Sequence, residues 1–136
     1  MRWINKREKL VWHPDNKYRI KWGKKAPSKG AQEVKDFLHR YCSDYIWYEE
    51  YRLPGCLLRV DFLSPNKKLA IEFNGPQHEG FNKFFHGTRT GYKNMFKRDM
   101  DKEKFLVKNG YTFIEIYKED LPLTHSFFSS NYNIII

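Results

Sequence analysis

Apolar residues recur at Val34, Phe37, Leu38 and Tyr41, spaced i, i+3, i+4 and i+7, the stripe of an amphipathic helix. Ser28 precedes that run as an N-cap, so the pattern predicts a helix from Ser28 to about Tyr41. Glu33 borders its buried face, one turn before Phe37. The period then changes. Tyr45 to Leu53 (YIWYEEYRL) is rich in β-formers, and Leu57 to Leu63 and Lys68 to Asn74 alternate as two further strands. Gly75-Pro76 ends the last of these. Helical spacing returns from Lys93 to Asn109, with Gly110 as its stop, and Tyr111 to Tyr117 (YTFIEIY) reads as a final strand. At the margins, Lys17 to Trp22 alternates as a short strand would. The terminal Ile134-Ile135-Ile136 reads as a packed strand or an association edge.

The order helix, strand, strand, strand, helix, strand predicts an α/β fold. A central mixed sheet of about four strands is flanked by helices, and the last strand returns parallel through a right-handed crossover. A chain of 136 residues suits one hydrophobic core. Residues 1–27 read as a basic N-terminal arm or strand extension, and 28–136 as a single domain. The arm carries Trp3, Trp12 and Trp22, available to pack or to stack.

Composition narrows the partners. Hydrophobic residues at 40% and aromatics at 18% exclude a disordered chain. A formal net charge of +9 calls for a polyanion, a nucleic acid or an anionic membrane surface. No apolar run is long enough to span a bilayer and the N-terminus has no signal-like stretch, which favours nucleic acid and a cytoplasmic location. Cys42 and Cys56 form no C-x-x-C pair and read as buried free thiols.

The candidate chemistry lies in "RVDFLSPNKKLAIEFNGPQH", Arg59 to His78. With Ser64-Pro65-Asn66-Lys67 as the turn, Asp61 pairs with Ala70 and Glu72 stands diagonal to Asp61. Asp61, Ala70, Glu72 and Asn74 then share one face, while Val60, Phe62, Leu69, Ile71 and Phe73 take the core face. Two carboxylates this close repel unless a proton, an arginine or a divalent cation intervenes. Hard oxygen ligands suit Mg²⁺ or Mn²⁺, and a metal over a phosphodiester lowers the pKa of a bound water. The alternative is structural. In that register Glu72 faces Arg59, and the two acids pair with Arg59 and Lys68 on a solvated sheet face.

Asp61, ten residues, then Glu72-Phe73-Asn74 resembles the Asp…Glu-x-Lys core of the PD-(D/E)XK nuclease superfamily. The likeness extends outward. "SKGAQEVKDFL" resembles the family's first helix, with Glu33 at its helical acid. "EFNGPQH" is similar to the Glu-x-(Asp/Asn)-Gly-x-x-His run of the branch related to very-short-patch-repair endonucleases and some phage homing endonucleases. "KRDMDKEKFLVKNGYTFIEI" resembles that branch's Arg-Asp-x-x-Lys helix, Gly-turn and last core strand. The resemblance covers about Ser28 to Tyr117. It implies a restriction-endonuclease-like core and Mg²⁺-dependent hydrolysis of DNA phosphodiesters. Asp61, Glu72 and the Phe73 carbonyl would hold the metal, with Glu33 assisting.

The chain departs from the family at Asn74, where a lysine is usual, and asparagine neither carries charge nor shuttles a proton. His78 is the first candidate to act in its stead, as general base or on the leaving group. Lys68 is the second and Lys102 the third, and Gln77 is suited to position a water. Asp99 falls within the apolar arc of its helix, so it orients His78 or pairs with Arg98 or Lys102. The stretch "HEGFNKFFHGTRTGYK" interleaves Phe81 and Phe84 with Lys83, Arg89 and Lys93, suited to stacking on bases while holding phosphates. Lys24, Lys25, Lys29 and Lys97 complete the candidate phosphate contacts. Two rival readings are a binding module of the same fold that has lost catalysis and a dimeric junction resolvase.

Overall fold

The computed structural model describes residues 1–13, 15–54, 58–75 and 100–136. These form a four-stranded mixed sheet with helices, and a separate N-terminal hairpin. The hairpin pairs β1 (Arg2–Ile4) with β2 (Leu10–Trp12). Helix α1 (Lys29–Cys42) follows, then β3 (Tyr48–Arg52), β4 (Arg59–Ser64) and β5 (Leu69–Gly75). A helix through residues 100–108, α2, leads to β6 (Thr112–Tyr117), and α3 (His125–Tyr132) ends the chain. The sheet order is β3-β4-β5-β6, antiparallel except for the parallel pair β5–β6. The predicted element order and the parallel return of the last strand are thus both present.

The helix boundaries follow capping chemistry. Ser28 Oγ accepts the Ala31 N–H at 3.1 Å, as its N-cap position requires. Gly110 closes α2 with φ 84°, a left-handed value that a side chain disfavours. The C-terminus departs from expectation. Residues 125–132 are helical, capped by Thr124 Oγ1 on the Phe127 N–H at 3.2 Å, and no strand forms at 134–136. Phe128 on α3 is fully buried, and Ile134 and Ile136 pack beside it while Ile135 faces outward.

Both faces of the sheet are buried. One carries Phe62, Leu69, Ile71, Ile114 and Ile116 against Val34, Phe37 and Leu38 of α1 and Phe128 of α3. The other carries Tyr48, Tyr51, Val60, Leu63, Ala70 and Phe113 against Phe105 and Leu106 of α2 and Trp3 of β1. The single core face expected of the hairpin is therefore corrected, as is the placement of Val60 beside Phe62. The reason is a break in alternation. Glu50 takes φ 48°, and the Glu50–Asp61 step drops out of the β3–β4 ladder between Glu49–Phe62 and Tyr51–Val60. Tyr48 and Tyr51, three residues apart, then reach the same face, and Val60 turns with Tyr51.

The N-terminal segment belongs to this core. Trp3 is 1% exposed, donates its Nε1–H to Tyr51 Oη at 3.0 Å, and stacks on Tyr111. Asn109 at the end of α2 grips Ile4 twice. Its Oδ1 accepts the Ile4 N–H at 2.7 Å and its Nδ2 donates to the Ile4 carbonyl at 3.1 Å. Residues 17–22 do not form the strand their alternation suggests. Asn16–Tyr18 is one turn of 3₁₀ helix, and a single bridge joins Arg19 to Tyr48. Of the three tryptophans singled out, Trp3 packs, Trp22 stacks on His39, and Trp12 is exposed.

Candidate active site

The β4–β5 connection sets the register. Ser64 pairs with Leu69, leaving Pro65-Asn66-Lys67-Lys68 as a four-residue loop, with Lys68 at φ 55°. Asn66 Oδ1 accepts the Ser64 hydroxyl at 2.9 Å and the Ile46 N–H at 3.2 Å, pinning the loop. The loop therefore lies one residue later, on both its β4 and β5 sides, than the turn expected from sequence. The ladder runs Phe62–Ile71, Leu63–Ala70, Ser64–Leu69. Continued one step, it sets Asp61 directly opposite Glu72, in place of the expected diagonal. A shift of two residues in register keeps both acids on a shared face. Arg59 instead pairs across β3 with Arg52, so the expected Arg59–Glu72 opposition is absent.

The strands part at this point. Asp61 Oδ2 accepts the Phe73 N–H at 2.9 Å, taking the place of a main-chain acceptor from β4. On the far side, Glu72 pairs in register with Glu115 of β6. Extended across the gaps in the two antiparallel ladders, the registers bring Glu50, Asp61, Glu72 and Glu115 into line as a row, with Glu72–Glu115 its one paired step. Burial pushes the Asp61 carboxyl above its ordinary pKa. The Phe73 N–H and the Lys102 ammonium oppose that shift, and Glu50 and Glu49 add to it.

Glu72 and Glu115 each have a side-chain partner. Lys102 of α2 places its Nζ 2.6 Å from Glu72 Oε1, and both side chains are buried. Asn74 Nδ2 donates to Glu115 Oε2 at 2.8 Å, and the Tyr117 hydroxyl donates to the same oxygen at 2.6 Å. Position 74 thus holds Glu115 in place, while the cation beside Glu72 arrives from α2. Of the residues considered as substitutes for the missing lysine, His78 lies outside the described residues and Lys102 is brought to the acids. Lys68 is not, because its left-handed turn position directs Nζ over the Tyr111 ring, 4.7 Å from the centroid.

Glu33 is exposed on α1 and lines a groove with Asp36, Phe37, Arg40, Tyr41, Pro122 and Leu123, to which neither Asp61 nor Glu72 contributes. Lys24, Lys25 and Lys29 are exposed ahead of and at the start of α1. Gln77, His78, Phe81, Lys83, Phe84, Arg89, Lys93, Lys97 and Asp99 lie outside the described residues, as does Cys56. Glu115 has no role predicted from sequence, although its i, i+2 spacing from Phe113 marks it as sharing that residue's face.

The chemistry of the row bears on whether it can hold a divalent ion. Asp61 and Glu72 offer hard oxygens from facing strands, the donor type Mg²⁺ or Mn²⁺ takes, and the raised Asp61 pKa marks a place where added positive charge is favourable. Among the described residues no three His, Cys, Asp or Glu side chains converge as a ready-made metal cluster. The donors fit in kind, and water or phosphate oxygens would complete the shell.

No family model matches the chain. It is 31% identical over 101 residues to uncharacterized protein 033L of Invertebrate iridescent virus 3, covering 69% of this chain and 51% of that protein. It is 37% identical over 59 residues to uncharacterized protein 307L of Invertebrate iridescent virus 6, covering 43% of this chain and 30% of that protein. The chain spans about half or less of the length of these relatives. Among the described residues no helix is long and apolar enough to cross a membrane.

Proposed function

We propose that the chain is a metal-dependent endonuclease that hydrolyses DNA phosphodiester bonds, on a restriction-endonuclease-like core. The observation that carries this reading is the facing pair Asp61 and Glu72, set where the strands part, with a buried lysine from α2 at Glu72. Asp61, Glu72 and the Phe73 carbonyl would hold Mg²⁺ or Mn²⁺. Bound there, the ion would supply a more acidic water and an electrophile for the phosphoryl oxygens.

The chain's own residues do the rest. The Phe73 N–H fixes one Asp61 oxygen, so the carboxylate is oriented before substrate arrives. Lys102 adds a positive charge within the dry side of the row, where it would favour the extra negative charge of a five-coordinate phosphorus. Water oxygen forms the new bond to phosphorus, one ester P–O bond breaks, and the departing oxygen takes up a proton. His78 remains the proposed proton donor or acceptor, with Gln77 and Asp99 as its supports. The reading assigns the protein to the cytoplasm of a host cell, alone or as a homodimer.

Supercoiled plasmid with Mg²⁺ tests it. Nicked or linear product should form, cease with EDTA, and fall at least about a hundredfold for Asp61→Asn and Glu72→Gln. No metal-dependent product on plasmid, branched or mismatched DNA would end the nuclease reading. It would favour a non-catalytic nucleic-acid-binding module, a reading supported by Asn74 being committed to Glu115.

A further inference from the structure

Residues 15–27 run along the outer edge of β3 and wall a cleft of about 390 Å³. Lys17, Arg19, Lys21, Lys24, Lys25 and Arg59 line it, with Glu49 and Glu50 contributed by β3. The wall is tied down along its length. The Ile20 N–H donates to the Trp47 carbonyl at 3.1 Å, Trp22 stacks on His39 at 4.6 Å, and the Ala26 N–H donates to Gln32 Oε1 at 2.7 Å. Lys35 of α1 braces it from beneath. Its side chain is 1% exposed, and its ammonium bonds both Glu49 oxygens, at 3.0 and 2.9 Å, and the Lys24 carbonyl.

This brace has an electrostatic consequence. Glu49 is neutralised from within the fold, so the six cations face Glu50 as the remaining acid of the lining. A free loop would let like charges spread apart, whereas here fixed backbone holds them together, which favours a polyanion that relieves the repulsion. The one aromatic among the lining residues, Tyr18, already packs its ring against Tyr51 at 4.7 Å. The lining therefore offers charge and no base-stacking platform. A concave cleft admits a protruding phosphodiester chain, while a flat lipid surface would reach only its rim. Glu50 of this lining lies close enough to Asp61 to raise its pKa.

We propose that this cleft is a track for the phosphodiester backbone of a nucleic-acid strand, held by charge without base readout, which leads the strand over the β3 edge to the acid row. The last clause rests on the nuclease reading; the binding does not.

The test is fluorescence anisotropy in EDTA, with labelled single strands and duplexes of about 30 nucleotides in two unrelated sequences. Lys24→Glu/Lys25→Glu is compared with Arg7→Glu/Lys9→Glu, the same charge change on the β1–β2 turn. The cleft variant should bind about tenfold or more weaker on both sequences alike. Its slope of log affinity against log salt should shrink by roughly 0.7–0.9 for each phosphate that the protein no longer neutralises. The turn variant should change binding less than about threefold. Lys24→Gln/Lys25→Gln, with circular dichroism, keeps the result readable if the charge reversal unfolds the chain. Equal losses in the cleft and turn variants, a loss confined to one sequence, or binding to anionic vesicles with none to oligonucleotides would each overturn the proposal. Weakened binding in the cleft variant of a protein that never cuts would remove the nuclease reading and leave the cleft standing. Cutting with unchanged binding in that variant would do the reverse.

Discussion

Lys102 Nζ and Glu72 Oε1 lie 2.6 Å apart, a buried ion pair joining α2 to the centre of the sheet. Removing one partner takes a short, charge-assisted hydrogen bond from the other. Lys102→Met is expected to cost about 1.5–3 kcal/mol of unfolding free energy. Lys102→Met/Glu72→Gln should recover part of that loss, because the cost of burying the Glu72 charge goes with it. Urea melts of the three variants form the cycle, and equal stabilities for the single and double variants would show that the pair is not the source of the effect.

Asp61 gives a pH signature. Burial raises its folded-state pKa above the unfolded value, so the folded form holds the proton more tightly. Its contribution to stability is therefore fully present below the unfolded pKa, and is lost as pH rises through the raised folded one. Asp61→Asn removes the charge and keeps an acceptor for the Phe73 N–H. Its Tm should exceed that of the wild type at neutral pH, with the gap closing below about pH 4. Mg²⁺ should raise the wild-type Tm more than that of the variant. A gap that widens on acidification would reverse the assignment.

Gly30 tests how α1 supports β5. A Cβ there would lie 2.0 Å from Phe73 Cζ and 2.1 Å from Cε1, so the ring must move. Alanine is the better helix former by about 1 kcal/mol, which would predict a gain. Overpacking should win, with Gly30→Ala destabilising by about 1–3 kcal/mol. Phe73 also supplies the N–H that orients Asp61, so Gly30→Ala should lower any metal-dependent cutting as well. Thermal melts and plasmid nicking read the two effects separately.

Cys42 should be inert. It is fully buried, and burial with the nearby Asp44 charge pushes its thiol up to about 11. At pH 8 about one thiol in a thousand would be ionised, before access is considered. Iodoacetamide should leave the Cys42 peptide unmodified in native protein and label it fully in denaturant, as read by mass spectrometry.

The amphipathic stripe of α1 and the alternating runs of β4, β5 and β6 were legible in the sequence, because each records a local period that burial on the sheet preserves. Gly110 and Ser28 marked helix ends for equally local reasons. Asp61 stays beside Glu72 despite a different turn from the one expected, because the register differs by an even number of residues and the Phe73 N–H holds the Asp61 carboxylate. Trp3 and Phe128 were not legible as core. Their segments are short or weakly patterned, and only the two buried faces of the sheet, one for each ring, give them a place.

The sequence by itself determined α1 and the strands of the central sheet, their order, and that two acids would meet near its middle. Tertiary structure decided what stands around them. It brought Glu115 beside Glu72 and Glu50 near Asp61, because the packing of four strands aligns residues far apart in the chain. It supplied Lys102 from α2 as the cation at Glu72 and committed Asn74 to Glu115. It also braced a set of surface lysines into a cleft through the buried Lys35. Each is a contact between segments well separated along the chain, fixed by how sheet and helices pack, and no local period records it.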